Sequence, residues 1–163
     1  MKNTLILTAL MLTSFVFGQK MKPYTQKAKK QKHQIEQELV EQWSAYSKAY
    51  EYSDYKAIAA HFTFPTTIDL TGSPLIIEDE AALIAWYKEG RTSIQEGYQY
   101  SLLEKSRLIW LSKSLVILDA IYGRFNAAYE RIYTGRGLYM YKKTALGWKM
   151  FSVTGIPLKP KEK

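Results

Sequence analysis

Cysteine does not occur in the 163 residues. Its absence excludes disulfides, thiolate metal ligands and the lipid-modified N-terminus of a bacterial lipoprotein. Small secreted eukaryotic domains usually depend on disulfides, so a bacterial exporter is the expected source and the core must supply the stability. Histidine is scarce: His33 and His61 share no ligand spacing, so no transition-metal site is expected. The chain lacks a Gly-rich phosphate loop, a nucleophile elbow and a dinucleotide-binding fingerprint. This argues against nucleotide cofactors and against serine or cysteine hydrolysis, and no cofactor is expected. No apolar run reaches the roughly 20 residues that a membrane-spanning helix needs.

The most compact apolar run stands at the start. Residues 1–19 read as a secretory signal peptide: Lys2 supplies the positive start and Leu5 to Leu12 the apolar core. Val16 and Gly18 occupy the small-residue positions before cleavage, with Gln19 at the junction as the mature N-terminus. The expectation is an exported, soluble chain in the periplasm or outside the cell, without a membrane span. The formal net charge of +8 is concentrated at the ends. Six lysines lie in a basic flexible segment, 20–33, and three more in a basic tail, 157–163. Between residues 33 and 158, 13 basic residues face 14 acidic ones, so the body is near neutral and nucleic acid is not an expected partner. The stretch 34–156 suffices for one domain with a substantial core and is too short for two.

From Gln34 the pattern is helical, with Ile35, Leu39, Trp43, Tyr46 and Tyr50 on one stripe. Glu36, Glu38 and Glu41 then fall near the positive end of the helix dipole. Ser53-Asp54 caps a short second helix ending near His61, with Ile58 and Phe62 turned inward. Pro65 stops it, 66–70 is a short strand, and 71–74 is a turn cluster. Glu78-Asp-Glu80 opens a third helix that runs to about Gly90. After Gly97 the period becomes extended, giving strands over 98–111, 115–126, 129–143 and 148–155. The strand from Leu115 is apolar on both parities: Val116, Leu118, Ala120 and Tyr122 on one face, Leu115, Ile117 and Ile121 on the other. One helical layer covers only one face of a sheet, so a homodimer through the other face is expected.

Helix, short helix, strand, helix and a meander of long strands is the order of the nuclear transport factor 2-like superfamily, which the chain resembles over residues 34–156. The segments 114–125 and 136–150 carry the likeness best. The superfamily includes the SnoaL-like polyketide cyclases and the ketosteroid isomerases. The resemblance implies an α+β, cystatin-like cone, with three N-terminal helices packed on a curved antiparallel sheet around a pocket. Ser53-Asp-Tyr-Lys-Ala-Ile58 resembles the ketosteroid isomerases' turn into their second helix. In that register Tyr46 falls where those enzymes keep a tyrosine that donates to the enolate, and Asp69, after a one-residue gap, where they keep a carboxylate base. Their protonated aspartic acid would fall near Gly137, where this chain has no acid. Loss of an oxyanion donor commonly costs about two orders of magnitude in rate, which argues against steroid isomerisation.

Each candidate has two readings. Tyr46 and Asp69 form either a donor and a base in one pocket or a packed stripe residue and a turn cap. Asp119, the one charge inside 115–123, must be paired or protonated. Either Arg107 or Arg131 pairs with it as structure, or it serves the pocket or the dimer seam. Arg124 and Asn126 either turn into the cavity beside Tyr122, to bind a carboxylate or carbonyl, or are solvated at a strand end. Trp43, Trp86, Tyr122, Tyr139 and Trp148 fill the core or, in part, line a cavity for a flat apolar ligand. His61, ending the second helix, is placed to carry a cation on the dipole. The resulting expectation is a small, partly apolar ligand held without catalysis, contacting Tyr46, Asp69, Trp86, Asp119, Tyr122, Arg124 and Tyr139. A cofactor-free isomerase, cyclase or lyase and a ligand-free dimeric interaction module are the alternatives.

Overall fold

Residues 26–51 contain neither glycine nor proline, and they form one 26-residue helix, α1 (Gln26–Glu51). The computed structural model describes residues 26–70 and 72–158; residues 1–25, with the expected signal peptide, Thr71 and residues 159–163 lie outside the described residues. The helix begins nine residues before Ile35, the first residue of the apolar stripe, because the lysine- and glutamine-rich turns favour helix yet bury no face that periodicity could register. Glu36, Glu38 and Glu41 therefore sit mid-helix, and the dipole argument does not apply to them.

Ser53, in the left-handed region at φ 58°, turns the chain into α2 (Tyr55–Ala60). Asp54 caps it by accepting from the Ala57 amide at 3.0 Å. The helix ends close to the expected place, with His61 as its C-cap, but the chain enters β1 (Phe62–Asp69) four residues before the expected strand, so Pro65 lies within the strand and does not stop the helix. Proline lacks the donor a regular ladder needs. It fits here because the pairing with the neighbouring strand shifts register between Phe62 and Thr67. A short strand, β2 (Leu75–Ile77), returns beside β1. Asp79 then caps α3 (Glu80–Arg91) by accepting from the Ala82 amide at 2.8 Å.

The remaining strands are β3 (Tyr100–Trp110), β4 (Leu115–Phe125), β5 (Arg131–Thr144) and β6 (Gly147–Gly155). They form one six-stranded sheet in the order β2-β1-β6-β5-β4-β3. The sheet is antiparallel except where β1 runs parallel to β6. Two helices open the chain, α3 follows β2, and the helices pack on one curved sheet, the α+β cone that the order of elements implies.

Alternation along β4 and β5 divides the sheet's faces. Val116, Leu118 and Ala120 meet Tyr139 and Tyr141 on the inner face, under Leu39, Trp43, Ile58, Leu83 and Tyr87 of the helices. These side chains are almost fully buried, and truncating Leu39 to alanine would cost about 2–5 kcal/mol. Ile117, Ile121, Leu138 and Met140 lie on the outer face and are only half-buried. Asp119 shares that outer face. It is 8% exposed and accepts from Arg136 Nε and Nη2, both at 2.8 Å, and from Arg107 Nη2 at 3.0 Å.

Candidate functional site

Between the helices and the inner face of the sheet lies a cavity of about 690 Å³. Trp43, Tyr46 and Tyr50 reach it from successive turns of α1, and Trp86 and Tyr87 from α3. Tyr122 and Arg124 enter from β4, and Tyr139 from β5. The rim includes Asp69, at the end of β1, and residues 155–157 after β6. Volumes of this order suit small molecules, and a mainly aromatic wall with a few polar groups is the usual composition of such sites.

Tyr46 and Tyr87 join hydroxyls at 2.9 Å. Burial, and then the neighbouring Tyr87, pushes the Tyr46 phenol well above its ordinary pKa, and burial also pushes Tyr87 up. Both are therefore protonated at neutral pH. Two hydroxyls hold two protons and the shared bond uses one, so the pair keeps one O–H to donate elsewhere. The Tyr46 ring packs edge-on to Tyr139 at 6.0 Å and to Phe62 at 6.1 Å, which fixes its direction.

Asp69 is a turn cap, since its Oδ1 accepts from the Gly72 amide at 2.8 Å and closes the turn. Gly72 takes φ 82°, a conformation that favours glycine. Asp69 is also one of the residues that border the cavity.

Arg124 lies among four tyrosines. Its guanidinium carbon is 5.2 Å from the Tyr133 ring centre, 5.6 Å from Tyr98, 5.7 Å from Tyr122 and 6.0 Å from Tyr50. Nη1 donates to Gln95 Oε1, while Nε is buried without a hydrogen-bond partner. Arg91, at the end of α3, covers two of the same rings, Tyr50 at 5.1 Å and Tyr98 at 4.8 Å. Its Nη2 donates to the Glu51 carbonyl at 3.3 Å, and its Nη1 is buried without a partner.

Of the seven candidates, Tyr46, Asp69, Trp86, Tyr122, Arg124 and Tyr139 border this one cavity, and Asp119 does not. The odd parity of Asp119 sends it to the outer face, where Arg107 directly opposite and Arg136 diagonally across hold it. That pairing lowers its pKa, first through Arg136 and then through Arg107. Arg131 instead pairs with Glu104. Asn126 builds the turn between β4 and β5, accepting from the Ala128 and Glu130 amides, and takes no part in the cavity. His61 packs edge-on against Tyr46. Burial, and then the Lys149 charge, lowers its pKa, so the expected cation at the helix end is disfavoured.

Tyr50, Tyr87, Gln95 and Tyr133 border the cavity but were not legible as site residues, and neither were Tyr98 and Arg91, which lie outside its lining. Tyr50 and Tyr87 carry helical periodicity that marks core only, and the others converge from separate elements. Among the described residues no group of three or more His, Cys, Asp or Glu side chains is placed to hold a metal ion.

A helical layer over a curved six-stranded sheet, with an aromatic-walled cavity between them, defines the cystatin-like class of α+β cones. Residues 32–157 match the family described as NTF2-like protein (DUF6841), and the chain belongs to that family. An NTF2-like protein with a cystatin-like fold from Novosphingobium aromaticivorans superposes with a TM-score of 0.63 at 13% identity, over 83% of this chain and 89% of that one. A cystatin-like domain of unknown function from Nostoc punctiforme gives 0.62 at 12% identity, over 77% and 78%. Aln2 from a Streptomyces species gives 0.62 at 12% identity, over 75% and 89%. At these identities the likeness concerns the fold. No curated protein sequence matches the chain.

Proposed function

We propose that the chain is an exported, periplasmic or secreted protein that binds a small, partly apolar molecule in the cone cavity without transforming it. The open cavity of about 690 Å³ carries this reading, because aromatic side chains border it instead of filling it. An interaction module stabilised by its own aromatics would have closed that space. Export rests on residues 1–19 as a cleaved signal peptide. Among the described residues no helix is long and apolar enough to cross a membrane. Native mass spectrometry of protein recovered from the periplasm or medium tests both points. A chain beginning at Gln19 or Lys20 with a small-molecule adduct is expected; an uncleaved or bare chain argues against export or binding respectively.

A second reading, a cofactor-free isomerase, cyclase or lyase, is favoured by the placement of Asp69 and Tyr46 on the same cavity. Asp69 would take a proton from carbon beside a carbonyl, and the Tyr46–Tyr87 pair would donate its remaining O–H to the developing oxyanion. Deuterium uptake by 2-tetralone in heavy water, lost in Asp69→Asn, would establish this reading. Uptake equal in wild type and Asp69→Asn would remove it.

A second copy of the chain is the proposed cover of the outer face, where Ile117, Ile121, Leu138 and Met140 stay half-exposed around the Asp119 ion pairs. Light scattering should give twice the chain mass for the wild type and a monomer for Ile121→Glu. A monomeric wild type would contradict the dimer.

A further inference from the structure

We propose that the ligand is a small, flat aromatic carboxylate whose carboxylate is held by Arg124. This rests on the cavity being a ligand site, and it names the chemistry of what enters. Arg124 is the cavity-lining cation that lacks an acidic partner. Arg136, the other lining arginine, spends Nε and Nη2 on the two oxygens of Asp119. Among the described residues no carboxylate lies within 4.0 Å of Arg124 or of Arg91, although both guanidinium groups cover Tyr50 and Tyr98. Glu51, whose carbonyl receives Arg91, holds Lys48 with its carboxylate at 2.9 Å. Arg91 is not part of the cavity lining, but two like charges flank the same pair of rings beside it, and an anion at Arg124 is the group that relieves their repulsion.

The form of the anion follows from the arginine's geometry. Nη1 is committed to Gln95, which fixes the guanidinium plane. Nε is buried without a partner, and Nη2 makes no hydrogen bond among the described residues. Nε and Nη2 form the edge that takes a carboxylate through two parallel bonds. Arg136 uses that same edge on Asp119, with both bonds at 2.8 Å. Nε is closed to solvent, so a carboxylate meets Nη2 first and reaches Nε as the neighbouring side chains shift, recovering the free energy that the unmatched buried donor costs.

The shape of the remainder follows from the walls. Trp43 meets Tyr122 at 5.8 Å and Tyr139 at 6.1 Å, tilted and edge-on, so ring faces and edges are presented at several angles to a planar guest. The Tyr46–Tyr87 pair adds a single donor for a carbonyl or hydroxyl elsewhere on that guest.

Calorimetric titration of the purified chain with 2-naphthoate and with its uncharged isostere 2-naphthamide tests the assignment. The acid should bind about ten- to a hundredfold more tightly than the amide. Arg124→Gln should weaken the acid by a similar factor and leave the amide unchanged, and Arg124→Lys should restore part of the difference. Equal affinity for the two probes, or an Arg124→Gln protein that keeps full affinity for the acid, overturns the proposal while the cavity remains a ligand site. Failure of both probes to bind wild-type protein overturns the proposal and counts against the cavity reading as well. The acid-against-amide comparison needs no variant, so it stands even if Arg124→Gln does not fold.

Discussion

Tyr122 lies across Gly135, its partner on the neighbouring strand. A β-carbon placed on Gly135 would stand 2.6 Å from the Tyr122 hydroxyl oxygen, closer than real contacts allow. The missing side chain of one strand is therefore what lets the phenol of the other lie flat against the sheet and leave the cavity open. Gly135→Ala should drive the ring inward, costing about 1–3 kcal/mol of stability through overpacking and weakening any cavity ligand. Urea denaturation and 2-naphthoate titration read the two effects. Unchanged stability and affinity would show that the ring moves freely elsewhere.

The paired hydroxyls of Tyr46 and Tyr87 make a second test. Tyr46→Phe and Tyr87→Phe should each destabilise the fold by about 0.5–1.5 kcal/mol, and the double variant by less than the sum, because one hydrogen bond is lost only once. Strict additivity would mean the bond contributes nothing. Alkaline titration adds a signed check, since burial raises the pKa of Tyr46, Tyr87, Tyr139 and Tyr141. The unfolded chain ionises near the ordinary value of about 10 while the folded one resists. Stability is full below that value and falls as pH rises above it.

Asp119 gives the opposite limb. Its folded pKa is depressed by Arg136 and Arg107, so its contribution is complete above the unfolded value of about 3.9 and is lost as pH falls through the lower native value. Asp119→Asn should cost about 1–2 kcal/mol at pH 7, discounted for the exposure of its partners, and should flatten the acid limb below pH 4. Melting temperatures from about pH 2 to 7 compare the two proteins. Parallel profiles would remove Asp119 from the account.

Where local chemistry decides the fold, it could be read directly. Asp54 and Asp79 cap helices because short acceptors precede helical runs, and the two-sided apolar pattern of β4 foretells an outer face that the helices leave uncovered. Non-local features were not legible. The parallel pairing of β1 with β6 joins residues more than 80 positions apart, and the three residues of β2 are too few to show alternation. The first turns of α1 bury no stripe. Asp119 illustrates the limit within the sheet. A turn through Asn126 and a register shift at Phe125 set Leu138 opposite Asp119, which brings Arg136 rather than Arg131 to the acid. The arginine–tyrosine cluster beside the cavity is hidden for the same reason, since Arg91 and Arg124 reach the same rings only once α3 and β4 close on Tyr50 and Tyr98.

A crystal structure of the protein purified from its own host tests the central claim most directly. The account predicts density for a small molecule in the cavity, packed between Trp43, Trp86 and Tyr122. A cavity closed by the inward collapse of Trp86, Tyr122 and Tyr139, with no room for a ligand, would contradict it.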